Sequence, residues 1–482
     1  YEVDDDSVAE ITALGKQSGY YRALDLYAYI LFPSTITAVE LAGVIRWLDE
    51  NTGATKNPVG GLSDYFRSRA DIVSFKFDAI DFSGVTDISY AFPLMGSLTS
   101  FPVVNTSGVT NWLYAFLNNT GLTSFPVLDT SNGTNFSYTW YQCTGLTSFP
   151  ALDLSSGTTF AEAWRSCTSL ATFPAIPLTA GTNFSLAWYD CSSMTSFLAT
   201  GLDSGTTFHW AWYGCSALTT MPAIALTAGT TFNSAWYGNT SLTSFLATGL
   251  DSGTNFQSAW QSCTSLATFP AIPLTAGTNF TNAWYLCTSL TSFLATGLDS
   301  GTTFSSTWHG CTSLATFPAL DLSSGTNFLA SWNGCTALTS FPALDMSSGT
   351  VIDQAWYNCS ALTSFPSDID LSNGLTFTWA WFATGLTSFP ALDMSSGTAF
   401  STAWYNCSSV VSFGACNMNA GRSFSSAWFA NAAMTTFPAG VFDDWAPASI
   451  TTNCFGNAWA ACDALTEQSV ENILLSISTS GQ

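Results

Sequence analysis

The sequence predicts a repeat solenoid of about sixteen 24-residue coils. Each coil holds one short parallel strand, a turn and a short helix, and a small α-helical cap precedes the stack. Three observations predict this. Tryptophan recurs at 140, 164, 188, 212, 236, 260, 284, 308, 332 and 356, always 24 apart, and the series continues at 381, 404, 428 and 459. Phe116 and Phe92 extend it backwards, which gives sixteen coils between about 83 and 463. Only 9% of residues are charged while 47% are hydrophobic and 15% aromatic, so there is ample material for a core and too little charge for bulk disorder. Finally, seven of the nine basic residues lie in the first 76 positions, and only Arg165 and Arg422 lie beyond them. That shift marks a boundary near residue 75.

The elements of one coil are read from 143–167, C-T-G-L-T-S-F-P-A-L-D-L-S-S-G-T-T-F-A-E-A-W-R-S-C. Residues 146–149 suit a brief strand that Pro150 terminates. Residues 152–157 carry Asp153, Ser155, Ser156 and Gly157, a turn composition. Phe160 and Trp164 are four apart, as on one face of a helical turn, with Thr158 or Thr159 as its cap. Such a unit cannot bury its apolar face alone and must stack on its neighbours. Sixteen coils at strand spacing predict a rod or arc of roughly 75 Å. In 168–303, coils reading I-P/A-L-T-A-G-T alternate with coils reading A-T-G-L-D-S-G-T, which points to duplication of a 48-residue pair.

The string L-D-T-S-N-G-T-N-F at 128–136, the aromatic at 140 and C-T-G-L-T-S-F-P at 143–150 resemble the BspA-like leucine-rich repeat, the 24-residue type also found in Mycoplasma lipoproteins. The resemblance covers about 380 residues. Trp stands where that family usually has Phe, and Phe often where it has Met. The resemblance implies a leucine-rich-repeat solenoid on a cell surface, or in a phage or virion appendage, acting in adhesion. It implies no single ligand.

Two ladders follow from the period. Trp164, Trp188, Trp212, Trp236, Trp260 and Trp284 predict a buried aromatic ladder. Cys167, Cys191, Cys215, Cys263 and Cys287 each sit three residues after a ladder Trp, and Asn or Thr replaces them in other coils. That interchange predicts buried free thiols rather than metal ligands, and stacked parallel side chains have poor disulfide geometry. A Cys454–Cys462 bond at the end is the alternative for the last pair.

Candidate chemistry is sparse. His209 and His309 fall at different coil positions, so no nucleophile–His–acid set assembles, and the chain is read as non-enzymatic. Each Gly-Thr pair recurs once per coil, as a turn needs, not as one phosphate loop needs. Asp129, Asp153, Asp321, Asp345, Asp370 and Asp393 share one position. They are read as Asx turns, with calcium along Asp321, Asp345, Asp370 and Asp393 as the alternative; no other cofactor is expected. The position after Trp carries Tyr141, Tyr189, Tyr213, Tyr237, Tyr285, Tyr357 and Tyr405, a stripe suited to stacking on sugars or a protein. On the strand side, Thr147, Thr195, Thr219 and their repeats form an uncharged hydroxyl array that suits glycans and raises an ice-binding reading.

The domains expected are a helical cap over 1–75, the solenoid over 76–463, and a capping helix and tail over 464–482. The closing helix is expected over 465–476, with Val470, Ile473 and Leu474 on its buried face. A net charge of −23 argues against nucleic acid and anionic membranes as partners, and no apolar run is long enough to span a bilayer. The reading is an extracellular, cell-surface or virion protein that binds a glycan or surface protein. The alternative is a structural fibre or assembly protein that mates with other subunits, including copies of itself.

Overall fold

The computed structural model describes residues 82–447, 449 and 452–480, with 68 and 70. The cap expected over 1–75 therefore lies outside the described residues, apart from Ser68, whose amide donates to the Pro93 carbonyl, and Ala70. The chain divides into two compact units, Tyr1–Gly229 with Leu246–Thr248, and Thr230–Phe245 with Gly249–Gln482. Each is a repeat solenoid of stacked 24-residue coils.

In the first unit Thr172–Phe173 pairs in parallel with Ser196–Phe197, residue 172 opposite 196. In the second, Thr268–Phe269 pairs with Ser292–Phe293, and Ser388–Phe389 with Ser412–Phe413. The offset is one coil. Strands stop after two residues because Pro174, Pro270 and Pro390 follow the Phe and have no N–H to give. Where Leu198 replaces that proline, its amide donates to the Phe173 carbonyl at 3.0 Å. A second set of parallel bridges follows the glycine, as in Asn135, Thr159 and Asn183.

The expected short helix is absent. Residues 161–166 form successive turns. The amides of Phe160, Glu162, Trp164 and Ser166 donate to the carbonyls of Asn183, Ser185, Ala187 and Tyr189 in the next coil, at 2.7–2.9 Å. The intervening amides of Ala163, Arg165 and Cys167 donate three residues back, to Phe160, Glu162 and Trp164. Glu162 and Ser166 carry the turns with φ of 57° each. The physical reason is spacing. Helices pack about 8–10 Å apart, whereas Trp140, Trp164 and Trp188 stack with ring centroids 5.3 and 5.7 Å apart. A coil that must repeat at strand spacing has no room for a helix. Thr158 therefore caps nothing; its hydroxyl donates to the Thr134 carbonyl of the preceding coil.

The core follows from the same spacing. Trp164 is completely buried between Trp140 and Trp188, with Phe173 edge-on at 4.8 Å and Phe149 edge-on at 5.5 Å. The second unit repeats this, with Trp236, Trp260 and Trp284 stacked at 5.3 and 5.2 Å. Gly157 has no side chain for a steric reason: a Cβ there would lie 2.3 Å from Cζ of Phe160.

At the end of the second unit the coil between Trp428 and Trp459 is longer. Its extra residues drop Phe442 into the core, edge-on to Phe424 at 5.4 Å and Phe455 at 5.3 Å. The closing helix, α1, runs Glu467–Thr479 and is N-capped by Thr466, whose hydroxyl accepts from the Ser469 amide. Its buried face differs from the expectation. Ile473 is buried, but Val470 and Leu474 are 44% and 63% exposed. The docked face is polar because the last coil leaves backbone groups that need partners. Ser469 accepts from the Phe437 amide, Ser476 accepts from the Phe442 amide, and Asn472 donates to the Phe437 carbonyl.

Two substitutions test this packing. Trp164→Ala is expected to lower the unfolding free energy by about 3–5 kcal/mol. Gly157→Ala is expected to lower it by about 1–3 kcal/mol through overpacking. Equilibrium denaturation measures both, and no loss in either would contradict the core described.

Candidate binding face

The thiols come first as candidate nucleophiles or ligands. All thirteen cysteines are free and buried, so the Cys454–Cys462 bond is not formed. Each ladder thiol donates to the Trp carbonyl one coil back, Cys167 to Trp140 at 3.1 Å and Cys287 to Trp260 at 3.1 Å. Asn119 does the same work where Cys is replaced, donating to the Phe92 carbonyl and accepting from the Met95 amide. Burial pushes the thiols up, to about 12 for Cys143, Cys287 and Cys335 and about 11 for Cys407. A protonated, buried thiol is neither nucleophile nor metal ligand.

The carboxylates are turn formers. Asp153 accepts from both the amide and the hydroxyl of Ser155, and these bonds hold its carboxyl below the usual range. Asp321, Asp345, Asp370 and Asp393 accept the amide two residues on in the same way. Among the described residues no group of three or more His, Cys, Asp or Glu is placed to hold a metal ion. The strand-side threonine hydroxyls also find their acceptors within the protein. Thr147 donates to the Thr123 carbonyl, Thr195 to Ala171 and Thr291 to Ala267, at 3.0–3.2 Å.

The tyrosines that follow ladder tryptophans are half-buried and share one coil position within each unit. Their ring faces are covered by the next coil. Tyr189 stacks on Tyr213 at 4.7 Å and 7°, Tyr285 on His309 at 4.7 Å, and Tyr405 on Phe429 at 4.8 Å. Along such a stack a ligand meets ring edges, and ring faces are open only where the stack breaks. The spacing that builds the core thus removes the stripe of flat platforms expected from sequence.

Two places on this face depart from the repeat. In the first unit, Arg165 replaces a stacked ring. Its guanidinium lies over Tyr189 at 4.8 Å and Tyr141 at 5.4 Å, and it pairs with Glu162 at 2.7 Å. The other oxygen of Glu162 accepts from the Tyr138 hydroxyl, and that bond, with burial, holds Tyr138 above its ordinary range. Tyr138 continues a stack through Tyr114 to Tyr90 at 4.4 and 4.5 Å. In the second unit, Trp379 is 38% exposed and lies against Tyr357 at 5.8 Å and Phe382 at 5.1 Å. Phe382 in turn stacks on Tyr405, which makes a five-ring patch with Phe429. Burial pulls His309 below its ordinary value.

Of the tyrosines singled out in the sequence, Tyr141 and Tyr189 flank Arg165, Tyr213 extends that group, and Tyr357 and Tyr405 belong to the second patch. Tyr237 and Tyr285 belong to neither. The sequence reasoning missed Trp379, Trp210, Phe382 and Glu162. Two of these had a signal: W-A-W at 210–212 and 379–381 places a tryptophan two residues before the ladder position. In the first unit Trp210 lies 5.6 Å from Tyr213 and 4.9 Å from His209.

No family model matches the chain, and no curated protein matches it. Among solved structures it is similar to a leucine-rich cell-surface protein of Faecalibacterium prausnitzii, at 20% identity over 56% of this chain and 78% of that one, with a TM-score of 0.34. It is similar to a leucine-rich-repeat protein of Bacteroides ovatus, at 17% identity over 71% and 76%, with a TM-score of 0.35. It is also similar to an internalin of Listeria monocytogenes, at 12% identity over 61% and 80%, with a TM-score of 0.25. With all three TM-scores this low, the fold assignment rests on the geometry of the coil itself.

The thiols give a pH prediction with a definite sign. Their folded values lie above the ordinary 9.0, so the native state holds protons that the unfolded chain releases. Stability is therefore unaffected by thiols below pH 9 and falls as the pH rises above it, with Cys167, Cys215 and Cys263 among those pushed well above that value. Denaturant midpoints measured from neutral to alkaline pH should show the thiols' loss only above pH 9. A midpoint unchanged well above pH 9 would contradict buried thiols.

Proposed function

We propose that the chain is a non-enzymatic binding protein of the extracellular space, on a cell surface or a virion appendage, and a BspA-like leucine-rich-repeat protein. Its ligand is a glycan or a surface protein, held on the ring-lined face. The observation that carries this reading is Trp379, a large indole left 38% exposed inside a patch of five aromatic rings. Exposed aromatic clusters are where recognition energy concentrates, through stacking on sugars or on apolar side chains. The acidic balance of −23 supports neutral or cationic ligands over nucleic acid. The protonated thiols and two histidines in different units support binding over catalysis.

A second reading, a structural or assembly protein, draws on the charge-free strand side rather than on the ring patch. Binding of the full chain to a glycan array and to cell surfaces separates the two. Trp379→Ala is expected to weaken ligand binding by about tenfold or more, or about 1.4 kcal/mol, without changing the fold. Binding unaffected by Trp379→Ala, or ordered self-association with no glycan or surface ligand at all, would overturn the binding reading.

A further inference from the structure

We infer that the strand side of the first unit is a docking surface for a second copy of this chain. In the first unit the surface is built from five consecutive coil positions, beginning at 99, 123, 147, 171, 195 and 219, such as T-S-F-P-V and T-S-F-L-A. None of these thirty residues is charged, in a chain whose net charge is −23. Two copies approaching through any acid-bearing face repel each other. This face is where they meet without that cost, and Asp129 and Asp153, two positions beyond it, form a charged rim.

The face also exposes large apolar side chains among its Ser and Thr residues. Val103 and Val127 are 74% and 65% exposed, and Leu198 is 47% exposed. Leu246, at the position equivalent to Leu198 and also in this unit, is 50% exposed. The threonine hydroxyls between them already donate to backbone carbonyls of the preceding coil, Thr123 to Thr99 and Thr147 to Thr123. That ties down one of the face's hydroxyl columns and holds its methyl groups in a fixed row, beside the exposed hydroxyls of Ser124, Ser148, Thr172 and Thr220. An exposed apolar patch of this kind marks an interaction surface.

Periodicity selects the partner. A surface with the same coil spacing meets this one row for row along its whole length, and another copy of the chain has that spacing by construction. The face measures about 15 Å across five residues and about 29 Å along six coils. That is about 430 Å² per copy, or about 900 Å² in total, at the small end for specific association. The dimer is therefore reversible and concentration-dependent. The inference does not depend on the glycan or protein reading, which uses the ring-lined face.

Sedimentation velocity of the full chain across a wide concentration range tests it. A reversible dimer is expected. Replacing Val127→Lys and Leu198→Lys together should weaken it by about a hundredfold or more. Thr158→Lys, on the separate threonine column after the glycine, should leave it unchanged. Thermal melts establish that each variant keeps the fold, and Val127→Ser with Leu198→Ser gives a milder second pair. A chain that stays monomeric at the highest concentration, or a dimer unmoved by the lysine and serine pairs, would overturn the inference.

Discussion

The coil-to-coil spacing, about 5 Å, is the constraint on which the rest of the structure depends. It is set by backbone groups: every second amide of 160–166 reaches the next coil, and those of Ala163 and Arg165 close turns on their own coil. Most of the segment's donors are thereby used without a helix. The arrangement does so at half the separation that helices need. Ring stacking, thiol placement and the fate of each surface hydroxyl all inherit that distance.

The spacing carries a cost in the core. Indole nitrogens along the ladder, including those of Trp164, Trp188, Trp260 and Trp284, are buried without a hydrogen-bond acceptor. An orphaned donor costs about 1–3 kcal/mol. Burying an indole of about 200 Å² contributes about 5 kcal/mol, and edge and stacking contacts add to it. Burial wins, which explains why a Trp is kept where its N–H has no partner. The thiols and Asn119 are treated oppositely, placed where a Trp or Phe carbonyl of the preceding coil accepts their hydrogen, whereas Asn239 and Asn431 at the same position are buried without such a partner. The same economy acts on the surface, where ring faces stack on ring faces and the stack is interrupted at Arg165 and beside Trp379.

Much of this was legible in the residues. The period located Trp164 and its partners, the Cys–Asn interchange located the thiol contacts, and Asp-x-Ser located the Asx turns. The helix was misread because Phe160 and Trp164, four apart, fit two successive turns as well as one helical turn. A distinguishing signal lay two residues after each ladder Trp. In six coils that column holds Gly214, Gly238, Gly310, Gly334, Asn358 and Asn406, residue types that tolerate positive φ, and the structure gives those six 57–72°. The buried face of α1 was misread because hydrophobicity was taken to choose it. The unmet amides of Phe437 and Phe442 chose Ser469 and Ser476 instead. The exposed patch around Trp379 was hidden by abundance: in a chain with 19 tryptophans, an extra one draws no notice until its register is compared.

The central claim, turns with left-handed residues in place of helices, has a test whose two readings differ in sign. Ala383 is one of the left-handed positions, with φ of 52°. Glycine adopts that conformation without the Cβ penalty of about 1–2 kcal/mol. Ala383→Gly is therefore expected to raise the unfolding free energy, by about 0.5–1 kcal/mol once the greater freedom of the unfolded glycine is counted. In a helical turn the same change would lower it by about 0.5–1 kcal/mol. A measured loss of stability in Ala383→Gly would contradict the coil described.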